Sequence, residues 1–309
     1  MMAWFALTRL ARTMITIVVV VGFAFIVLRL SGDPALEILS NDASAQAREA
    51  FQKAWGLDQP IWVQFLDYVA HVVTGSFGNS MREGRDALAV VAERVPVTLM
   101  LTVPALFMNV LIGIPAGILA ALRRNSVLDR GIMLVAVAGF TIPSFVLGLL
   151  LVLVFSVWLS WLPSGGARSW QHAILPVLTL GAGSAAVLAR YTRSAMLDVL
   201  EQPYIRTARA KGVPAHSIVC RHALPNTAIP TVTLLGLMVG QLIAGAVLAE
   251  SVFSWPGVGR LLVSSVASRD LPIVQCVLFL IAVAMVTCNL AVDLLYGLLD
   301  PRIRRGGHA

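Results

Sequence analysis

The chain has 309 residues, of which 58% are apolar and 13% charged, with a mean hydropathy of +0.84. That leaves too little polar surface to cover a water-soluble particle, and 24 Gly and 3 Cys exclude a collagen-like or disulfide-rich chain. The net charge of +7 does not indicate a nucleic-acid binder, because the basic residues fall in short runs between long uncharged stretches.

The charges punctuate an integral membrane protein. Uncharged stretches of 16, 28, 37, 21, 28 and 22 residues follow Arg12, Arg94, Arg130, Arg168, Arg221 and Asp270. A helix needs roughly 20 apolar residues to cross the hydrocarbon layer. Six helices are predicted, near 10–30, 96–121, 132–158, 172–190, 228–250 and 273–297. The first is short, but Arg12 and Arg29 can snorkel to the two interfaces. No small-residue cleavage site closes it, so it is read as an uncleaved span. The third stretch holds one span, since 160–168 is a Pro/Gly-bearing loop. Residues 146–157 are apolar on every face, which excludes the alternating pattern of a membrane barrel. The fold class is all-α integral membrane.

An even number of spans puts both termini on one side. With the termini cytoplasmic, the inner segments carry 14 of the 23 basic residues, and the two short outer loops, 159–172 and 250–272, carry three. This asymmetry sets the termini inside. The first outer loop, 31–95, has nine acidic and five basic residues and helical patches at 43–55 and 61–73, which makes it a cap. The chain then divides into a first span with its cap (1–94), a transmembrane domain (95–298) and a basic tail (299–309).

The inner loop, 191–227, is patterned for helix. Gly212 offers a positive-φ stop and Pro214 a restart at a first helical position, giving a second short helix over 214–222. Two short helices with a Gly joint make a docking surface. The alternative is that Arg190, Arg193, Arg206, Arg209, Lys211 and Arg221 anchor the loop to anionic lipid. Spacing alone does not separate the two.

The stretch Tyr204-Ile-Arg-Thr-Ala-Arg-Ala-Lys-Gly212, followed by His222-Ala-Leu-Pro-Asn226, resembles the signature loop of binding-protein-dependent ABC importer permeases. Ala208, Gly212, Leu224 and Pro225 keep the family spacing; Arg206, Thr207 and His222 depart from it as in the dipeptide/oligopeptide branch. Further matches are Gly32-Asp33-Pro34, Gly56-Leu-Asp-Gln-Pro60, Thr141-Ile-Pro-Ser-Phe145, Ala189-Arg-Tyr-Thr-Arg-Ser-Ala-Met-Leu197, Val252-Phe-Ser-Trp-Pro-Gly-Val-Gly259 and Leu299-Asp-Pro-Arg302. Gly75-Ser-Phe-Gly78 lacks the acidic residue the branch usually has.

The resemblance implies a type I ABC importer permease in a bacterial-type cytoplasmic membrane, of the B-type subunit that moves di- or oligopeptides. Nickel, glutathione, haem and oligosaccharide importers share this subunit type. It implies pairing with a homologous permease and two cytosolic ATPase subunits, and delivery of cargo by an extracytoplasmic solute-binding protein. The ATPase-docking element would be Arg206, Thr207, Ala208, Arg209, Lys211, Gly212, Val213, Pro214, His216 and Ser217. Arg206 and Arg209 would pair with acids on the ATPase, or else brace the loop against Asp198 or Glu201. The only lysines, Lys53 and Lys211, are not in a Gly-Lys-Ser/Thr phosphate loop. ATP and Mg are therefore expected on the partners, with no cofactor, metal or catalytic residue on this chain.

Polar residues inside spans, Asn109, Gln241 and Asn289, are substrate-path candidates, or equally helix-packing contacts. Gly113 with Gly117, and Gly236 with Gly240, fit small-residue packing, as helix-packing or dimer contacts. Pro104, Pro115, Pro143 and Pro176 mark kinks. Phe253 and Trp255 suit an aromatic interface belt, and the run from Pro256 and Gly257 forces a bend. By resemblance, Phe253, Trp255, Pro256 and Gly257 face the solute receptor or line the outer gate. An ion-coupled carrier is disfavoured because Glu250 and Asp293, the candidate intramembrane acids, lie near span ends. An intramembrane protease is disfavoured because all five histidines lie in loops or at span ends.

Overall fold

The structure, a computed structural model of the chain, describes residues 15–299 except 24, 28, 30, 31, 33 and 40–42, and gives the backbone alone at 37, 229 and 292–299. Residues 15–23 and 25–27 are helical; the rest of the expected first span largely lies outside the described residues. The helices that follow are α1 (Pro34–Ile38), α2 (Ala45–Ala54), α3 (Ile61–Val73), α4 (Ala87–Met108), α5 (Ile114–Leu122), α6 (Val127–Thr141), α7 (Ser144–Leu151), α8 (Gln171–Leu200), α9 (Pro203–Ala210), α10 (Ala215–Ser217), α11 (Leu224–Val252), α12 (Val258–Ala267) and α13 (Leu271–Leu299). Wide π-helical turns at Asn109–Gly113, Val152–Trp158 and Ile218–Ala223 join or extend them. No strand occurs among the described residues, only an isolated bridge between Asn79 and Asp86.

Four stretches are long and apolar enough to cross a membrane: Ala87–Leu122, Gln171–Leu200, Pro230–Val252 and Leu271–Ala291. The expected third span is not one straight helix, because α6 and the α7 segment meet at 103°. The cause is local. Pro143 lacks an N–H and disfavours helical geometry in the residue before it, and Ile142 is extended (φ −76°, ψ 121°). The described residues thus hold four membrane-crossing helices, or five with the bent pair, against six expected. Helix is interrupted only at Pro143 among the four prolines expected to kink it; Pro104, Pro115 and Pro176 sit inside unbroken helix.

The fourth span also runs further than the charges suggest. Helix α8 continues ten residues past Arg190. The Arg190 guanidinium carbon lies 5.1 Å from the centre of the Phe140 ring, and Arg193 is paired with Asp129. Both arginines therefore belong to a helix rather than to the docking loop.

The chain falls into two compact units, residues 1–98 with 256–286 and residues 99–255 with 287–309. In the first, Phe25, Tyr68, Phe77, Val90, Val91, Ile273 and Val277 form the core, with the Phe25 ring stacked on Tyr68 at 5.8 Å. The Asp270 carboxylate, just ahead of α13, accepts from the Ser80 hydroxyl and from Met81 N (3.1 Å), which ties the turn before α4 to the start of α13. The 250–272 segment, expected as a loop, contains helix α12.

In the second unit α8 is central, with α5, α6, α7 and α11 packed on it. Glycines set the closest approach. A Cβ on Gly113 would lie 2.9 Å from the Ala185 carbonyl oxygen, and one on Gly117 2.5 Å from that of Ala189. This is packing within the chain, as small residues allow between helices in lipid.

Candidate functional site

The expected docking element is built by a short helix with an ordinary but complete ending. Helix α9 opens with Pro203 at a first-turn position, where the missing N–H costs nothing. It stops because Gly212 adopts φ +77°. The N–H of Gly212 donates to Arg209 O (3.0 Å) and that of Val213 to Ala208 O (3.1 Å). This is the paired-bond termination that a left-handed glycine permits. Nothing lies within 4 Å of a Cβ built on Gly212, so that position is constrained by backbone conformation alone.

Ile205 is the buried anchor of α9. Arg206, Thr207, Arg209, Lys211, Gly212, Pro214 and His216 are exposed; Ala208, Val213 and Ser217 are half-buried. The ten residues run from α9 through the Gly212 turn into α10, with Arg206, Arg209 and Lys211 exposed. Thr207 is partly engaged, donating its hydroxyl to Pro203 O (3.1 Å).

The bracing alternative for Arg206 and Arg209 is not what forms. Among the described residues Glu201 pairs with Arg124 (2.5 Å). A second anchor, which sequence reasoning missed, holds the same end of α8. Arg193 Nε and Nη2 donate to Asp129 Oδ1 and Oδ2 at 2.6 and 2.7 Å, and the same carboxylate accepts from Asn125 N (2.8 Å). Asn125 and Ser126, a turn residue with φ +64° and an N-cap, are the local signal for that turn. A cavity of about 430 Å³ lies beneath α9, lined by Ala121, Leu197, Arg209, Val213, Ile218 and other residues.

The second expected helix, 214–222, does not end before Pro225. Ala215–Ser217 passes through the π turn Ile218–Ala223 directly into α11, with Pro225 in its first turn. The expected docking loop is thus continuous with a helix long and apolar enough to cross a membrane.

The three substrate-path candidates differ in exposure. Asn109 is fully buried, and with its amide nitrogen facing inward it donates to Gly181 O (2.7 Å) and Ala105 O (3.1 Å). It is a packing bond between α8 and the wide turn. Gln241 and Asn289 are exposed on α11 and α13.

Phe253 and Trp255 are buried, at 1% and 3% exposure, so the interface-belt expectation fails. The Phe253 ring packs near Gly148 and Thr179, and its carbonyl accepts from Gly166 N (2.8 Å). Ser254 between them takes φ +50°. Pro256 is half-buried and its carbonyl accepts from Arg94; Gly257 is buried.

Among the described residues the chain is all-helical, with an exposed, glycine-jointed basic helix between two helices long and apolar enough to cross a membrane. Residues 113–305 match the family of binding-protein-dependent transport system inner membrane components, and residues 2–102 match the N-terminal domain of such components. The chain belongs to this family, as a multi-pass inner-membrane permease subunit of an ABC importer. It is 48% identical over 288 residues to the glutathione transport system permease protein GsiC of Escherichia coli (strain K12), covering 93% of this chain and 94% of that one. It is 46% identical over 301 residues to GsiC of Salmonella choleraesuis, covering 97% and 98%. Its fold is similar to that of the MetNI methionine ABC transporter in an inward-facing conformation, with TM-score 0.60 and 21% identity over 68% of this chain and 96% of that one. Such a permease is not itself catalytic, and the family works with ATPase and binding-protein partners in general.

Proposed function

We propose that this chain is the transmembrane half of an ATP-driven importer of short peptides, with glutathione, itself a tripeptide, as the cargo. The observation that carries the cargo reading is the 46–48% identity to glutathione permeases along nearly the whole chain. In this reading a homologous permease completes the pathway, a solute-binding protein delivers cargo from outside, and two ATPase subunits hydrolyse Mg-ATP inside. Both termini are cytoplasmic, as the distribution of arginines favours. The first 94 residues supply a first span and outer cap, 95–298 the permease domain, and 299–309 a basic tail.

Docking falls to α9 and its joint. Support comes from one buried anchor, Ile205, with Arg206, Arg209 and Lys211 displayed to solvent, and from the direct helical continuity into α11. A push on that surface by a closing ATPase pair passes into a span without an intervening flexible loop. Gln241 and Asn289 stay candidates for the cargo path; Asn109 is already bonded. Phe253, Trp255, Pro256 and Gly257 belong to the outer gate, acting through a packed turn rather than through exposed rings.

Deletion of 206–217 tests the docking. The variant should insert in the membrane and lose co-purification of the ATPase subunits; retained association and transport would overturn it. Uptake of labelled glutathione into proteoliposomes holding the complete importer tests the cargo. Uptake of dipeptides with no uptake of glutathione would reverse that assignment.

A further inference from the structure

We propose that helix α3 (Ile61–Val73) lies on its side in one leaflet of the bilayer, with Trp62, Leu66, Val69 and Val73 among the acyl chains. The partner of this face is lipid. The segment 31–95, expected as a cap outside the membrane, then has one helix that enters it.

The sequence of α3 sorts into three faces. Its 13 residues make about 20 Å of helix, too short to cross the hydrocarbon layer. At about 100° per residue, Phe65, Tyr68 and Val72 share one face, and they pack into the core of the first unit. Gln64, Asp67 and His71 share a second, polar face. Trp62, Leu66, Val69 and Val73 form a third, opposite the polar one, and all four are exposed. A helix with an apolar stripe opposite a polar face suits the plane of a membrane surface. Trp62 is the side chain type that settles at that level.

The packing of α3 separates lipid from water and from a soluble partner. The apolar helix Ile15–Val27 has Ile15, Val18, Val19, Phe23 and Ile26 each more than half exposed, a surface that a membrane protein gives to lipid. Helix α3 packs on this same helix. The rings of Phe65 and Tyr68 lie 5.3 and 5.8 Å from that of Phe25, and a Cβ on Gly22 would lie 3.9 Å from the Phe65 ring. Gly22 stands seven residues before Arg29, the charge that closes the apolar run, and seven residues are about 10 Å of helix. The contact at Phe65 is therefore on the apolar side of that charge, at a depth no soluble partner reaches. The polar face is turned the other way, since Gln64, Asp67 and His71 line the same cavity as Arg29. The apolar stripe, opposite that face, is directed away from the charged end.

The inference stands apart from the cargo and from the ATPase docking, and its test reads lipid contact. The unmodified full-length chain is placed in phosphatidylcholine nanodiscs containing phosphatidylcholine with a diazirine on the upper acyl chain, irradiated and digested. Carbene adducts are expected on 61–73 at a yield similar to that on 15–27 and about tenfold above that on the charged turn 82–86, which lies outside the acyl layer. Adducts on 15–27 with none on 61–73 would overturn the proposal. The same labelling of the complete importer should leave the adducts on 61–73 in place; their loss there would assign the face to a second copy or another protein and overturn it equally. Leu66→Glu should lower the melting temperature in nanodiscs, because a carboxylate then enters the acyl layer, while Leu66→Met should not. On a water-exposed face both substitutions would be neutral, so an unchanged melting temperature for Leu66→Glu would count against the lipid contact.

Discussion

Arg193 on α8 grips Asp129 in the first turn of α6 through two parallel N–H···O bonds of 2.6 and 2.7 Å. The Asp129 side chain is 3% exposed and that of Arg193 24%. The planar fork of a guanidinium matches a carboxylate in this way and a lysine cannot. Removing one partner leaves a buried charge without compensation, which costs about 3 kcal/mol where one partner still reaches solvent. Arg193→Ala should therefore lower the melting temperature of the detergent-solubilised protein clearly, and Arg193→Lys should recover only part of the loss. Asp129→Asn combined with Arg193→Gln should be milder than the two single effects added; strict additivity would mean that the pair is not coupled.

Gly212 separates conformational demand from crowding. Its φ of +77° disfavours any side chain, while the space around it is open. Gly212→Val should cost about 1–2 kcal/mol in that conformation and reduce uptake per ATP hydrolysed in proteoliposomes. Gly212→Asn should keep most of it, because asparagine tolerates the left-handed region. Equal behaviour of the two variants would contradict a role for the backbone turn.

Gly117 has the reverse problem. A Cβ there would lie 2.5 Å from Ala189 O and 2.7 Å from Thr192 Cβ. Gly117→Ala should push α5 from α8 and destabilise by about 1–3 kcal/mol, seen as reduced yield of folded protein at 37 °C. Gly131→Ala, with nothing within 4 Å, is the matched control and should be neutral or slightly stabilising.

Asp270 accepts from Ser80 and Met81 and is 4% exposed. Asp270→Ala leaves a buried hydroxyl and a backbone N–H unpaired, a loss of about 2 kcal/mol. Ser80→Ala should cost at least as much, because the Ser80 hydroxyl also accepts from Arg82 N (3.2 Å) and Glu83 N (2.9 Å), which would lose their acceptor. Hydrogen exchange at residues 78–86 should speed up in the Asp270 variant; unchanged exchange there would count against the tie.

Much of the fold was legible in the sequence because lipid imposes long apolar runs. The gaps between charges located α4, α8, α11 and α13, and Gly212 marked the end of α9. The same logic misplaced the end of α8, since a charge closes a span only where it must reach water. Arg190 and Arg193 instead meet Phe140 and Asp129, partners about fifty and sixty residues earlier that no local pattern announces. Phe253 and Trp255 had the composition of an interface belt, but Phe253 is covered by helix α7 at Gly148 and by the bend at Gly165. The π turns leave no periodic signature, so the continuity of the 203–217 segment with α11 was out of reach.

The wide turn at Asn109–Gly113 has a consequence for helix phase. Each residue advances an α-helix by about 100° around its axis, and a π turn takes up one residue more than an α turn. That extra residue sets which side of α5 meets α8. Deleting one residue from 109–112 would turn the wide turn into an ordinary α turn and leave Gly117 against Ala189, whereas winding the same residues as plain α-helix would rotate everything after them by that angle and bring Ala116 to that place, where even a methyl group does not fit.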